Sequence, residues 1–169
     1  MNEVHRALAR PPAAHVDDTD LAILQLLARD GRMSNSAVAE EVGIAPSTCL
    51  NRIRHLREQG VIRGFRADID PGAMGRPLQA VVFVRLQPSA QSSITTFASY
   101  LAGLPGVLNV YFLAGVNDFQ VHVAVRDSHA LRDFVVLNLS AMPEVAGTET
   151  NLIFQHITPH DRHDAGPLS

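Results

Sequence analysis

The segment from residue 17 to residue 60 constrains the fold most, because three short helical patterns follow one another with little chain between them. Asp17 and Ser34 are suited to cap the first two helices, and Pro46 is suited to the first position of the third. Gly43 and Gly60 mark helix ends. Connections of three or four residues make the second and third helices cross, which predicts a helix-turn-helix.

Two apolar faces predict the core of this first domain. Asp20 at the third helical position and the Val16/Leu21 pair strengthen the start of the first helix. Helical spacing then predicts that these side chains point inward: Leu21, Ile23, Leu24 and Leu27 on the first helix, and Cys49, Leu50, Ile53 and Leu56 on the third.

After Gly60 the pattern changes from helices to strands. A strand from Val61 to Ile69 ends at the turn Asp70-Pro71-Gly72, and the order strand–helix–strand–strand–helix–strand follows. The second helix of that unit is predicted to begin at a Ser128 cap. The fold class is therefore α+β, with a helix-turn-helix joined by a strand and linker to a ferredoxin-like βαββαβ domain. The expected divisions are a flexible arm (1–15), the helix-turn-helix domain (16–64), a strand and linker (65–77), the βαββαβ domain (78–158) and a flexible tail (159–169).

Composition excludes several classes of protein. No window approaches 18 uninterrupted apolar residues, so no transmembrane helix is expected, and residues 1–16 lack the apolar run of a secretory signal. The single cysteine, Cys49, excludes a disulfide framework and favours a small buried side chain. The expected location is the cytoplasm.

The net charge of -3 conceals a strong regional difference. Between residues 46 and 66 the chain has five arginines and one acidic residue, a local charge of +4. Between residues 67 and 169 it has five arginines and nine acidic residues, a local charge of -4. The positive field therefore lies on the third helix and the segment after it, as expected of a surface that binds phosphates.

The side of the third helix opposite its apolar face carries side chains that suit base edges and phosphates. Asparagine pairs with adenine, arginine with guanine, and serine or threonine with phosphate. The alternative is a solvated helix face, against which the local charge argues. The predicted DNA-binding residues are Ser47, Thr48, Asn51, Arg52, Arg54 and His55.

The order of short motifs along the chain resembles the Lrp/AsnC family of feast/famine transcriptional regulators. The landmarks include Asp17-x-x-Asp20-x-x-Ile23-Leu24, Asp30-Gly31-Arg32, Arg52-Ile53-x-x-Leu56, Leu104-Pro105-x-Val107 and Gly115-Val-Asn-Asp118-Phe119. The resemblance implies a winged helix-turn-helix DNA-binding domain (16–64), a hinge strand and linker (65–77) and a sensing and oligomerisation domain (78–158). It implies a sequence-specific regulator of double-stranded DNA, associated with the nucleoid, that forms homodimers and higher oligomers, tetramers or octamers. It also implies modulation by a small effector, usually an amino acid, with no resident cofactor. Ala45 departs from the family, which commonly has a serine cap there.

The resemblance also implies an effector site around the loop at residues 115–118. Glycine lets the backbone approach a ligand, and Asp118 either pairs with an ammonium group or holds the loop; read from the residues alone, the segment is an ordinary β-turn. The implied effector residues are Gly115, Asn117, Asp118, Thr148 and Thr150.

The sequence is compatible with three other functions. The histidines and aspartates between residues 156 and 164 suit a metal, but they lie in a polar tail without a rigid element to fix their geometry. Siroheme decarboxylases resemble this family and share its two-domain layout, although the arginines on the third helix argue against that enzyme. An architectural DNA-compacting protein is the third alternative. The expectation is a regulator with neither catalytic nor metal-binding residues.

Overall fold

The computed structural model describes residues 15–156, except the side chains of Gln91 and Ser92. The chain divides between Asp68 and Ile69 into two compact units, here named the helical unit (15–68) and the sheet unit (69–156). The tail predicted at 159–169, and all but the last residue of the arm predicted at 1–15, lie outside the described residues. Within 15–156, no helix is long and apolar enough to cross a bilayer.

The helical unit consists of α1 (Asp18–Arg29), α2 (Asn35–Val42) and α3 (Pro46–Glu58). The predicted caps are confirmed. Asp17 and Asp20 form a capping box at α1, and the Ser34 hydroxyl accepts from the N–H of Ala37 at 3.2 Å. Gly43 ends α2 with a φ of 75°, a left-handed conformation that glycine adopts without steric cost.

The core of the helical unit is small and lies where the three helices meet. Ile23, Val38, Ala39 and Cys49 are buried there, with Leu26 and Leu27 packed against them. The predictions for Leu21 and Leu50 are wrong, because each side chain is 48% exposed. Helical periodicity places each residue near the apolar face of its own helix, but the three short helices cover only the centre of each face.

The predicted hinge strand is not formed within the described chain. Residues 63–70 have no helix or strand assignment. A strand is defined by hydrogen bonds to a neighbouring strand, and the described residues provide no such neighbour for this segment. The turn after it is confirmed, because the Asp70 carboxylate accepts from the N–H groups of Gly72 and Ala73 at 3.0 and 3.1 Å.

The sheet unit has the predicted βαββαβ order. Its elements are β1 (Leu78–Leu86), a 3₁₀ turn (Pro88–Ser93), α4 (Ile94–Gly103), β2 (Val107–Phe112), β3 (Phe119–Val125), α5 (Ser128–Val135), a π-helical turn (Val136–Ser140) and β4 (Val145–Ile153). All neighbouring strands are antiparallel, in the order β2-β3-β1-β4. The cap of α5 is Asp127 rather than the predicted Ser128, since its carboxylate accepts from the N–H of Ala130 at 2.8 Å.

The two faces of the sheet differ in cover. On one face the side chains of alternate residues of β1 and β3 are buried against α4 and α5, with Phe119 at the centre. On the opposite face, which we name the open face, Val81, Phe83 and His122 remain only partly buried. An apolar sheet face left half-covered in one chain is suited to pack against another sheet.

Candidate DNA and ligand interfaces

Helix α3 has a buried apolar face and an exposed polar face, but Leu50 is exposed and Arg52 turns toward the helical unit, contrary to the sequence prediction. Cys49 and Leu56 are buried. Ser47, Thr48, Asn51, Arg54 and His55 are exposed, and we name these five side chains the reading face. Among the described residues Arg54 makes no ion pair, so its guanidinium is available to a ligand.

The start of α3 is fixed from α2 rather than by its own cap. Ala45 provides no side-chain hydrogen bond to the helix. Instead, the amide of Asn35 donates to the carbonyl of Pro46 at 2.9 Å. Sequence reasoning missed Asn35, because its partner is eleven residues away in the next helix.

Arg52 faces the helical unit rather than open solvent. Its Nη1 lies 2.7 Å from Oδ2 of Asp17 and 2.9 Å from Oδ1 of Asp20, and its side chain is 32% exposed. The hydrogen bonds to these two carboxylates raise the pKa of Arg52. The pKa of Asp17 is lowered first by the backbone N–H of Asp20 and then by Arg52. Arg52 therefore differs from the other five predicted DNA-binding residues, because it is paired with two carboxylates of the helical unit.

Two depressions lie beside the reading face. One, of about 360 Å³, is lined by Asp20, Thr48, Asn51, Arg52 and His55. The other, of similar volume, is lined by Arg54, Arg57, Glu58, Ile62, Arg63 and Gly64. The charge count had included Arg57 and Arg63 without placing them. Their position extends the basic surface from α3 to the chain that follows it.

The loop at residues 115–118 is held to the end of β1 by its last residue. The Asp118 carboxylate accepts from the N–H of Leu86 at 2.7 Å, and the N–H of Asp118 donates to the carbonyl of Val84 at 2.9 Å. Gly115 has a φ of 155°, and Val116 is 80% exposed. Asp118 was expected either to pair with an ammonium group or to hold the loop, and these two hydrogen bonds hold the loop.

The two threonines predicted at the effector site lie on the far side of β1 from that loop. Thr148 pairs with Val84 and Thr150 with Val82, both on the edge strand β4. The hydroxyl of Thr148 lies 3.4 Å from that of Ser140 in the π-helical turn. One chain therefore divides the implied effector residues into two groups, since Asp118 and Asn117 lie beyond the other edge of β1.

His122 occupies the middle of the open face. Its Nε2 is 2.9 Å from the amide oxygen of Gln79, and its ring lies edge-on to that of His156 with centroids 6.0 Å apart. Burial lowers the pKa of His122, and the neighbouring charge of His156 lowers it further. No cluster of three metal-ligating side chains is found between residues 15 and 156.

Comparison with known proteins identifies both units. A winged helix-turn-helix DNA-binding model matches residues 16–63, and the Lrp/AsnC ligand binding domain matches residues 79–162. The HTH-type transcriptional regulator AldR of Mycolicibacterium smegmatis is 54% identical over 145 residues, or 86% of this chain and 85% of that protein.

Solved structures agree with the sequence comparison. The crystal structure of AldR from Mycobacterium tuberculosis has a TM-score of 0.79 at 46% identity, covering 88% of this chain and 98% of that one. A transcriptional regulator of Neisseria meningitidis in complex with L-methionine has a TM-score of 0.76 at 29% identity, covering 85% and 93%. These matches confirm the resemblance and the fold class. With an exposed basic helix in the helical unit and a match to the ligand-binding domain over the sheet unit, the chain belongs to the Lrp/AsnC family of DNA-binding, ligand-modulated transcriptional regulators.

Proposed function

We propose that a homodimer of this chain places two copies of α3 in successive major grooves, with the reading face against base edges and phosphates. The exposed polar face of α3 carries this proposal, because Asn51, Arg54 and His55 project from a helix whose other side is buried. Two copies of a reading helix in one dimer bind half-sites about 34 Å apart, one turn of the duplex. The basic depression around Arg57 and Arg63 supplies phosphate contacts beside them.

We further propose that the effector is an amino acid. The Neisseria regulator was solved with L-methionine, and its fold matches this chain over both units. The Asp118 loop, with Gly115 and Asn117, offers backbone and amide groups at one end of the sheet, and Thr148 and Thr150 offer hydroxyls across β1. Because one chain divides these groups, the pocket is completed where two subunits meet.

The open face supports assembly of the dimer through the sheet unit. Val81 and Phe83 lie half-buried on a face that the chain's own helices do not cover, and a second sheet packed there would bury them. We place the protein in the cytoplasm with the chromosome, and we assign it no catalytic activity, since the related regulator AldR is described by its DNA-binding class.

Two measurements test this function in order. First, the protein is used to select duplexes from a random-sequence DNA pool, and enrichment of a partly symmetric sequence is expected. A thermal-shift screen of the twenty amino acids then identifies the effector, because a ligand that binds only the folded state raises the melting temperature. A flat selection profile refutes the DNA-binding function. Enrichment without any thermal shift refutes the amino-acid effector alone.

A further inference from the structure

Arg52 and the capping box of α1 form a closed set of hydrogen bonds. In each of the two carboxylates, one oxygen accepts from a backbone N–H and the other accepts from Arg52. Oδ1 of Asp17 accepts from the N–H of Asp20 at 2.8 Å, and Oδ2 of Asp20 accepts from the N–H of Asp17 at 3.3 Å. The remaining oxygen of each accepts from Nη1 of Arg52, at 2.7 and 2.9 Å. We name these three residues the helix lock.

We propose that Arg52 is a positioning residue that fixes the rotation of α3 against the start of α1 and makes no contact with DNA. This inference rests on the proposed DNA-binding role of α3, and it assigns Arg52 differently from the other arginines of that helix. The partners of Arg52 lie 35 and 32 residues earlier in the chain, so the helix lock joins elements that no turn connects directly.

The charges of the helix lock oppose its use as a phosphate contact. The Asp20 side chain is only 12% exposed, and a carboxylate removed from water to this degree depends on a counter-charge. A phosphate that recruited Arg52 would leave two carboxylates without their shared cation. It would also approach those negative charges itself. Arg54 differs, because its side chain is exposed and pairs with no carboxylate in residues 15–156.

The position of the helix lock explains how it acts on DNA recognition. Arg52 and Asp20 line the same depression as Thr48, Asn51 and His55. The side chains of the reading face are all attached to one rigid helix, so a small rotation of α3 redirects every one of them. A guanidinium held between two carboxylates of another helix restricts that rotation.

The direction in which one substitution changes the affinity for DNA separates a positioning role from a phosphate contact. In Asp20→Asn the side chain presents an N–H₂ group either to Arg52 or to the N–H of Asp17, so one bond of the helix lock is lost. If Arg52 positions α3, the affinity for a selected, fluorescein-labelled duplex falls by about tenfold, similar to the loss of one base contact. If Arg52 binds phosphate, removing its competitor strengthens binding instead.

Asp18→Asn is the matched control for charge. Asp18 lies in the same turn of α1, is exposed, and makes no ion pair within the described chain. Both variants remove one negative charge from the helix N-terminus, so their difference isolates the helix lock. Asp20→Asn must bind the duplex more weakly than Asp18→Asn; equal or tighter binding overturns the proposal.

Salt dependence provides a second readout that mere destabilisation does not change. Each phosphate contact adds about 0.9 to the slope of log affinity against log salt. We expect Arg52→Gln to bind less tightly with the slope of the unaltered protein, and Arg54→Gln to lose about one unit of slope. A loss of about one unit in Arg52→Gln contradicts the positioning role.

Folding is checked by circular dichroism at the assay temperature. If Asp20→Asn is unfolded there, Asp17→Asn replaces it, because Asp17 is 43% exposed and its loss perturbs the core less. Asp17→Asn must then bind more weakly than Asp18→Asn, and tighter or equal binding again overturns the proposal. Failure of the unaltered protein to select any duplex refutes DNA binding itself, which is distinguishable from failure of the helix lock.

Discussion

The two units of the chain differ in the size of their buried core and in how completely each one displays its candidate site. The helical unit buries few residues and leaves a row of polar side chains on α3 open to a ligand. The sheet unit buries a much larger cluster around Phe119, while its implied effector residues are split by β1. One chain therefore exposes the whole of the proposed reading face but holds the proposed effector residues in two separated groups.

The largest expected effect comes from the core of the sheet unit. Phe119 is fully buried, with ring centroids 5.6 Å from Phe97 and 5.3 Å from Phe112. Phe119→Ala should lower the free energy of unfolding of this unit by about 3–5 kcal/mol, measured by denaturant titration. Phe112→Ala is the control, since its side chain is 41% exposed and should cost much less. Equal losses would show that the exposed ring is as important as the buried one.

The next effect tests the reading helix directly. Arg54→Ala should reduce affinity for a selected duplex by about 1–3 kcal/mol if its guanidinium reads a base, as measured by fluorescence anisotropy. The melting temperature should not change, because the side chain is exposed and packs against no core residue. Unaltered affinity would remove Arg54 from the reading face.

A smaller effect distinguishes the two roles of Asp118. Asp118→Ala removes the acceptor of the Leu86 N–H, which should cost about 1 kcal/mol of stability and abolish the thermal shift by the effector. Asp118→Asn keeps an acceptor oxygen but loses the charge, and we expect it to retain most of the thermal shift. DNA binding without effector should persist in both. If Asp118→Asn loses the shift completely, the carboxylate pairs with the ligand's ammonium group rather than holding the loop.

A gain in stability is expected at the start of α3. Ala45 has a φ of -66° and a ψ of 142° and provides no side-chain cap, so serine fits the same backbone and can accept from the first turn. Ala45→Ser should stabilise the helical unit by about 1 kcal/mol, measured by chemical denaturation. Ala45→Gly, which adds no hydroxyl, is the comparison. A serine variant no more stable than the alanine would show that water already satisfies the N–H groups of this helix start.

The smallest effect concerns pH and the open face. The pKa of His122 is lower in the folded chain than its ordinary value, so the unfolded chain binds the proton more readily. The stability that follows is present above about pH 6.5 and declines as the pH falls from there through the folded pKa. His122→Gln should flatten the dependence of melting temperature on pH between about 7.5 and 5.5. An unchanged slope would assign the pH dependence to another group.

Local signals in the sequence predicted most of the fold. The Asp17 capping box, the Ser34 cap and the left-handed Gly43 depend on residues three or four positions apart, which a single sequence displays. Leu21 was misplaced because periodicity defines an apolar side without saying how far neighbouring helices cover it.

Features that depend on distant or second-chain partners were beyond the sequence. The partners of Arg52 are more than thirty residues away in the chain. Its helix position and charge therefore predicted a contact with DNA, whereas the structure pairs it with Asp17 and Asp20. A strand was expected from Val61 to Ile69, but a strand requires a neighbour that the described chain does not supply. The effector residues were implied by a family motif, which does not show that β1 separates them.

The separation of the helix lock from the reading face has an evolutionary consequence. Asn51, Arg54 and His55 are exposed and belong to neither the core nor the helix lock. Under the proposed function, their exchange changes which bases are contacted without disturbing the fold of the helical unit. A gene duplicate of this chain would therefore acquire a new set of target promoters through a few surface substitutions. Its inherited effector response would remain, because those substitutions lie in the other unit.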